Sequence, residues 1–300
     1  MSLLSVVKDV CAVVGVQQPT SVTTNLVANR TMQEMLALAN EMAQRISYDT
    51  RDWTIFRKTA KMVGGSGLTI DPLDPAQVGC SVYAIPANYK RMLLTANVWR
   101  STSTLYPMVF VPDTDEWLNR RAQNWFDPAG EWTMLGGQML VAPTMDGGVP
   151  LWVVATHYAV GALTRDPAGT LWTNKVDHTS GSGTFVADRA ANPTYWVQTP
   201  NTTATFVYLD KNCVALKSGG FGDSFTDDAD SFRLDERLLK LGMVWQWKAN
   251  KGTSYAEDMG TYSDALAVAM GHDQPAPIIA GRRPISANAR ASYPYPAPTP

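Results

Sequence analysis

The hydrophobic residues of this chain repeat with a helical period at both ends and with the period of β-strands between them. Near the N-terminus, apolar residues recur every three or four positions over residues 3–14 and stop at Gly15. The apolar residues of the next such stretch share one face: Met35, Leu38, Met42 and Ile46. This spacing predicts two amphipathic helices. We expect the second to begin at Thr31, because Thr31 and Glu34 have the spacing of a capping box.

The C-terminal third returns to the helical period in two consecutive stretches. Their apolar stripes are Leu234, Leu238, Leu241 and Trp245, followed by Tyr255, Met259, Tyr262, Leu266 and Ala269. The first stretch ends at Lys251–Gly252, a basic last turn followed by a residue suited to a left-handed cap. Ser254 and Glu257 have capping-box spacing at the start of the second. We therefore expect an αα-hairpin over about residues 234–271.

Two acidic pairs precede this hairpin, Asp227–Asp228 and Asp235–Glu236. Carboxylates favour helix N-termini, so we interpret both pairs as capping groups rather than as general acids or cation ligands. Within the hairpin, six side chains are expected to pack in a helical bundle or between subunits: Leu238, Leu241, Trp245, Tyr255, Met259 and Tyr262.

Between the helical ends, short β-branched or aromatic runs alternate with Gly, Pro and Asn, which is typical of strands and turns. These runs are residues 58–63, 77–83, 92–99, 106–111, 131–135, 138–142, 151–159 and 203–209. One helix is predicted among them at residues 113–123, with acidic residues in its first turn and arginines in its last. Residues 164–203 hold aromatic islands in a polar setting. We expect an inserted subdomain of β-hairpins there, the alternative being a disordered surface loop.

Together these patterns predict an α+β fold. Its helical part is a four-helix unit, built from the two N-terminal helices and the C-terminal αα-hairpin, into which an antiparallel β-rich domain is inserted. The expected domains are residues 1–52 (N-terminal helices), 53–163 with 204–232 (β-rich domain), 164–203 (inserted β-hairpin subdomain), 233–272 (C-terminal hairpin) and 273–300 (extended Pro-rich tail).

The tail differs in composition from the rest of the chain. Residues 275–300 contain seven of the 19 prolines, three arginines and no acidic residue. One interpretation is a disordered chain end. The other is a docking arm, in which proline limits the entropy lost on binding, apolar side chains anchor the arm, and arginines meet acidic groups. The side chains of such an arm are Ile278, Ile279, Arg282, Arg283, Arg290, Tyr293 and Tyr295.

The sequence offers few groups for chemistry. Its three histidines and three cysteines are widely separated and have no metal-ligand spacing. We expect no metal, no cofactor and no enzymatic activity; the alternative is a glycan hydrolase that pairs Asp113, Asp115 or Glu131 as acid and base. The net charge of −2 gives no global field toward nucleic acid or a membrane. We expect a soluble chain without a signal peptide or membrane span.

Several segments resemble the head-to-tail adaptor proteins of tailed bacteriophages. Residues 225–242, continued by Trp245, Trp247–Lys248, Lys251–Gly252 and residues 255–258, are similar to the C-terminal helical signature of that family. A second similarity, to the second helix of that family, lies in residues 31–53, with Ala39-Asn40-Glu41, Arg45-Ile46 and Asp52-Trp53. A third, to the family's β-region, lies in residues 83–86 and 89–92. Residues 164–203 depart from the family pattern, so the resemblance implies nothing about their role.

The resemblance implies a virion structural protein of the neck, made in the cytoplasm of the bacterial host. Such proteins form a ring, of about twelve copies to match the portal, that joins the DNA-filled head to the tail. The implied partners are the portal protein, neighbouring copies, and tail or tail-nozzle proteins, with DNA in the channel a lesser alternative and no membrane. Ten tryptophans and 13 methionines suit large protein contacts. Another neck or tail component, namely a stopper, a tail terminator or a baseplate protein, remains the alternative.

Overall fold

Helices occupy both ends of the chain and short strands occupy its middle, so the fold is α+β, as predicted. The computed structural model describes residues 2–24, 29–65, 67–68, 71, 73–93, 96–101, 106–146 and 149–273. The helices in these residues are α1 (Leu3–Val14), α2 (Arg30–Tyr48), α3 (Thr114–Ala122), α4 (Phe185–Ala191), α5 (Glu236–Asn250) and α6 (Ala256–His272), with a 3₁₀ turn at Thr54–Phe56.

The strands are short and pair mainly in antiparallel fashion. They are β1 (Arg57–Val63), β2 (Ser81–Ala84), β3 (Tyr89–Met92), β4 (Trp99–Arg100), β5 (Val109–Phe110), β6 (Glu131–Leu135), β7 (Gln138–Ala142), β8 (His157–Tyr158), β9 (Leu163–Arg165), β10 (Leu171–Asn174), β11 (His178–Thr179), β12 (Trp196–Thr199), β13 (Thr203–Asp210), β14 (Val214–Ala215), β15 (Phe221–Gly222) and β16 (Ser231–Phe232). Two four-stranded sheets form the middle of the molecule, one with β13 paired to β1, β3 and β4, and one in the order β2-β7-β6-β5.

Four of the predicted strands were closely matched. The β6–β7 hairpin has the predicted bounds, and β1 and β13, which pair with each other, each exceed their prediction by one residue. The continuous strand predicted at 92–99 is wrong, because the long β13 takes two short partners there, β3 and β4. The strand predicted at 151–159 is also wrong: Ala155 has a φ of 50° in a turn, and the pairing is limited to β8 and a single bridge from Leu151 to Arg165. Those predicted at 77–83 and 106–111 shorten to β2 and β5.

Helix α1 begins and ends as its sequence predicts, with Gly15 as a left-handed C-cap at φ 72°. For α2 the predicted capping box at Thr31 is wrong. Asn29 is the N-cap, and its side-chain oxygen accepts a hydrogen bond from the Thr31 amide at 3.0 Å. Starting there frees Glu34 to pair with Arg30, one turn before it, and with Lys251 at 2.7 Å beyond the end of α5.

The capping box predicted at Ser254 is wrong as well. Tyr255 is the N-cap of α6, and its side chain makes no capping hydrogen bond. The turn from α5 to α6 is instead held at the end of α5, because both the amide and the hydroxyl of Thr253 donate hydrogen bonds to the carbonyl of Lys248. The Lys248 ammonium also pairs with Asp258 at 2.6 Å. Thr253 and Lys248 therefore stabilise the turn that the sequence pattern assigned to Ser254.

Helix α5 lies at the centre of the helical core, where it packs against α1, α2 and α6. Its contact with α2 depends on Gly242: a Cβ atom there would lie 2.5 Å from the Cε atom of Met42. The predicted stripe of α2 is buried in this core, together with Leu238, Leu239 and Met243 of α5. A side chain at position 242 would therefore have to displace the terminal methyl group of Met42.

The segment before α5 holds the N-terminus of α1. The amides of Leu3 and Leu4 donate to the carbonyls of Asp230 and Asp228, at 2.7 and 3.1 Å. The carboxylate of Asp228 also accepts the amides of Val22 and Thr23, each at 2.9 Å. The prediction that Asp227–Asp228 caps a following helix is therefore wrong, whereas Asp235 caps α5 as predicted. We call the segment Asp227–Asp230 the α1 clip.

A buried carboxylate joins the helices to the β-region. Asp210, at the end of β13, has no exposed surface and pairs with Lys58 at 2.6 Å and Arg233 at 3.1 Å. The Arg233 guanidinium also stacks over Phe56 and Phe221, at 4.9 and 4.2 Å from the ring centroids. The carboxylate and the two cations are thus paired with one another at the junction between the helices and the β-region.

Residues 149–201 form a small unit with its own core. Strands β9, β10 and β12 make a three-stranded sheet, and β8 pairs with β11. The four aromatic side chains of its core are Tyr158, Trp172, Phe185 and Trp196. Hairpins alone do not describe this unit, because Phe185, predicted as part of a hairpin, begins α4, for which Thr184 is the N-cap. The aromatic islands are buried against one another, not spread over a disordered loop.

Candidate interaction surface on helix α6

Helix α6 covers the core with one side and leaves most of its surface exposed. Of its 17 residues, only Tyr262 is buried. Four others are partly buried against the core: Ala265, Leu266, Ala269 and Met270. Helix α6 packs on α5 along one side, and its other sides are exposed in the part of the chain that the structure describes.

One exposed stripe of α6 consists of small residues. At intervals of four, three, four and four, they are Ala256, Gly260, Ser263, Ala267 and Gly271. Residues so spaced lie on one line along a helix, because the helix turns every 3.6 residues. We call this stripe the outer face of α6. Met259, which is 45% exposed, lies beside it.

The two glycines of the outer face pack against no other part of the described residues. A Cβ atom added at Gly260 or at Gly271 would meet no atom within 4 Å. Each glycine in a helix costs about 1 kcal/mol of stability relative to alanine. The contrast with Gly242 is clear, because that glycine is enforced by Met42. Glycine in open space on a helix suits close approach by a second helix.

The six packing residues predicted in the αα-hairpin divide into two groups. Leu238, Trp245 and Tyr262 are buried in the core, and Leu241 is half-buried. Tyr255 and Met259 are exposed, although the sequence pattern placed them on the same stripe as Tyr262. Tyr255 precedes α6 as its N-cap, and its ring lies 6.4 Å from that of Trp245 while 41% of the residue stays exposed.

Trp245 occupies a polar edge of the core. Its ring is 8% exposed and packs near Tyr262, with centroids 6.1 Å apart. The guanidinium of Arg45, on α2, lies 5.4 Å above the ring, a cation–π arrangement. The indole N–H is buried and has no hydrogen-bond acceptor in the described part of the chain. The residue therefore links α2, α5 and α6 through packing.

The predicted tail residues lie outside the described residues. They are Ile278, Ile279, Arg282, Arg283, Arg290, Tyr293 and Tyr295. The tail was predicted to start at residue 273, but Asp273 is the C-cap of α6 and accepts hydrogen bonds from the amide and hydroxyl of Thr54. The C-terminal end of α6 is therefore held in place by its hydrogen bonds to Thr54.

The carboxylates considered for glycan hydrolysis have structural partners. Asp113 caps α3 by accepting the Asp115 amide at 2.9 Å. Glu131 is completely buried and its carboxylate binds Arg120 at 2.9 Å and Arg121 at 2.7 Å. The Glu131 carboxylate is thus paired with two guanidinium groups and has no contact with solvent.

The described residues contain no group of three or more His, Cys, Asp and Glu side chains arranged to hold a metal ion. All three cysteines are buried, and burial raises the pKa of both Cys80 and Cys213 to about 11, which disfavours the nucleophilic thiolate. Over the same residues, no helix combines the length and apolar character needed to cross a membrane.

The small unit of residues 149–201 carries a further exposed apolar surface. Leu163 and Val197 lie on either side of Thr173 in register across the sheet, so they share its outward face. Leu163 and Val197 are both exposed. On the opposite face, Trp172 contacts Phe185 of α4. The sheet thus has one face covered by α4 and one face available to a partner.

No protein-family model matches the sequence, and no curated protein matches it either. The resemblance to phage adaptors therefore depends on the motifs quoted above and on what their residues do in the fold.

Proposed function

We propose that this protein is a head-to-tail adaptor of a tailed bacteriophage, a structural component of the virion neck. In this proposal, copies of the chain form a ring beneath the portal, and the four-helix unit provides the contacts between neighbours. The β-region and the small unit of residues 149–201 face the tail, and residues 274–300 dock on the portal.

The observation that carries the proposal is the outer face of α6. A helix that ends the described chain, contacts α5 with one side and places two glycines in open space is suited to pack closely on a second helix. In a ring, each subunit presents two different surfaces to its neighbours, so an unpartnered helix face on every copy is the expected geometry.

The residues of the family signature have a structural role that agrees with the proposal. The α1 clip and Arg233 connect the N-terminal helix, the end of β13 and the start of α5. These contacts hold the two chain ends in one helical unit. Such a unit can then act as a rigid block in an assembly.

Two substitutions test the role of the outer face with the same chemical change. Ala267→Leu places a bulky side chain on the outer face, whereas Ala12→Leu does so on the exposed side of α1. We expect both variants to keep the melting temperature of the parent chain, because Leu is nearly as good a helix former as Ala. Ala267→Leu should prevent ring formation on portal-bearing heads, and Ala12→Leu should not.

The readout is the number of attached copies on each head, counted by electron microscopy. If both variants attach at the parental level, the outer face is not part of the contact between subunits. Attachment of the parent chain to tail-tube ends instead of portal vertices would overturn the adaptor assignment in favour of a terminator.

A further inference from the structure

A groove runs along the side of α6 opposite Met259. It has a volume of about 760 Å³ and lies between the start of α5, the second half of α6 and the turn at Thr54–Phe56. Its apolar lining includes Ile55, Leu234, Ala265 and Val268. Ile55 and Val268 are 48% and 58% exposed, which is unusual for aliphatic side chains that face each other across a concave surface.

The groove is acidic as well as apolar. Its lining contains three carboxylates, Asp235, Asp264 and Asp273, against one guanidinium, that of Arg237. Asp273 is already paired with the Arg51 guanidinium, so the remaining excess of negative charge in the lining comes from Asp235 and Asp264 against Arg237. An occupant that is both apolar and basic would match this surface.

The chain itself leaves the described structure at the edge of this groove. Asp273 is held by the Thr54 amide at 3.2 Å and by the Arg51 guanidinium at 3.5 Å, and it belongs to the groove lining. The next residues therefore start from a fixed position beside the groove. Five residues on, Ile278 can reach up to about 17 Å from that point in extended conformation.

The segment that follows has the composition that the groove requires. Residues 275–283 contain two prolines, the pair Ile278–Ile279 and the pair Arg282–Arg283, and no acidic residue. Proline limits the conformations that the segment loses on binding, and the isoleucines can fill an apolar groove while the arginines meet carboxylates at its rim.

We propose that residues 275–283 bind in the groove of their own subunit. Attachment to the groove edge gives the segment an effective concentration on the order of millimolar, so weak contacts suffice for binding in the same chain. Binding places Ile278 and Ile279 against Leu234 and Val268. The inference concerns the free subunit and stands without the adaptor role; with that role, the arm is held by its own subunit until the portal competes for it.

Trypsin cleavage of the full chain tests this inference, because the tail carries two sites at different distances from the groove. The Arg282–Arg283 bond lies in the proposed segment, whereas the Arg290–Ala291 bond lies beyond it and serves as an internal reference. We expect cleavage after Arg282 to be about tenfold slower than after Arg290, relative to a free peptide of residues 274–300. Mass spectrometry of the early products gives both rates.

Two matched variants on α6 complete the experiment. Val268→Gln changes an exposed groove residue, and Met259→Gln changes an exposed residue on the opposite flank. Protection after Arg282 should be lost in the first and kept in the second, and circular dichroism should show that both variants are folded like the parent chain. Equal cleavage at both sites in the parent chain would overturn the inference. Protection that grows with protein concentration would also overturn it, because the occupant would then be the tail of a second copy.

Discussion

Glycines in α5 and α6 illustrate how the same residue type serves opposite purposes. Gly242 is enforced by the Met42 side chain, while Gly260 faces open space. We expect Gly260→Ala to raise the free energy of unfolding of the isolated subunit by about 1 kcal/mol, since alanine is the better helix former. Gly242→Ala should raise it by less, because the new Cβ atom has to displace the Met42 methyl group and that displacement offsets part of the gain in helix propensity. Urea denaturation of both variants measures this difference, and a destabilising Gly260→Ala would show that α6 packs within the subunit there.

Trp245 allows core packing and subunit contact to be separated. Its ring is buried among α2, α5 and α6, so Trp245→Ala should cost about 3–5 kcal/mol of stability. The control is Met259→Ala on the exposed flank of α6, which should change stability by less than about 0.5 kcal/mol. Thermal melts of the purified variants give both values. If Trp245→Ala keeps the parental melting temperature but does not assemble, the Trp245 side chain belongs to the contact between subunits and not to the core.

Among the structural elements, the α1 clip makes stability depend on pH. Burial by itself raises the pKa of Asp228 and Asp230, but the hydrogen-bond donors around both carboxylates outweigh it, and each pKa lies below its usual value. A carboxylate with a lowered pKa in the folded state stabilises the fold above its unfolded pKa of about 3.9. That contribution is lost as the pH falls through the folded pKa.

We therefore expect the free energy of unfolding to decrease below about pH 5. In Asp230→Asn the amide group cannot accept all the hydrogen bonds from Lys217, Thr226 and Asp227, so this variant should be less stable at pH 7. Its deficit should shrink as the pH falls, because the parent carboxylate becomes protonated. Denaturation curves at several pH values test this, with Glu41→Gln on the exposed side of α2 as the control; a constant deficit would exclude the proposed linkage.

The junction between α6 and the tail gives a second prediction at this scale. A chain ending at Asp273 retains the hydrogen bonds to Thr54, whereas one ending at Gly271 loses them. The shorter chain should be less stable by about 1.5–3 kcal/mol, the usual range for hydrogen bonds to a charged group. The chain ending at Asp273 should remain folded and lose only the contribution of the bound tail, yet attach poorly to portal-bearing heads. If that chain attaches as well as the parent chain, the tail does not take part in docking on the portal.

At the scale of the whole molecule, we expect the isolated subunit to be a monomer and the ring to form on the portal. The outer face of α6 is narrow and made of small residues, so it buries little apolar area on its own. Contacts through the tail add to it only when the portal is present. Sedimentation velocity over a range of concentrations tests this, and a stable ring in the absence of portal would contradict it.

Features set by neighbouring residues could be predicted from the sequence. The helical period established α1, α2, α3 and α5 with bounds correct to within about two residues, and the β6–β7 hairpin was predicted without error. Gly15 and Asp235 act as the caps that their types suggest. Hydrophobic period and capping depend on residues within one or two turns, and the chain displays both directly.

The features that carry the candidate site depend on the tertiary structure. Asp228 binds the Val22 amide, 206 residues away, so its role was not visible as a local pattern. Tyr255 and Met259 share a stripe with Tyr262 in sequence, but of the three only Tyr262 is covered when the helices pack. The outer face and the groove beside Asp273 likewise exist only because α6 packs on α5 along one side. Sequence determined where the helices form, and packing determined which of their faces remain for other molecules.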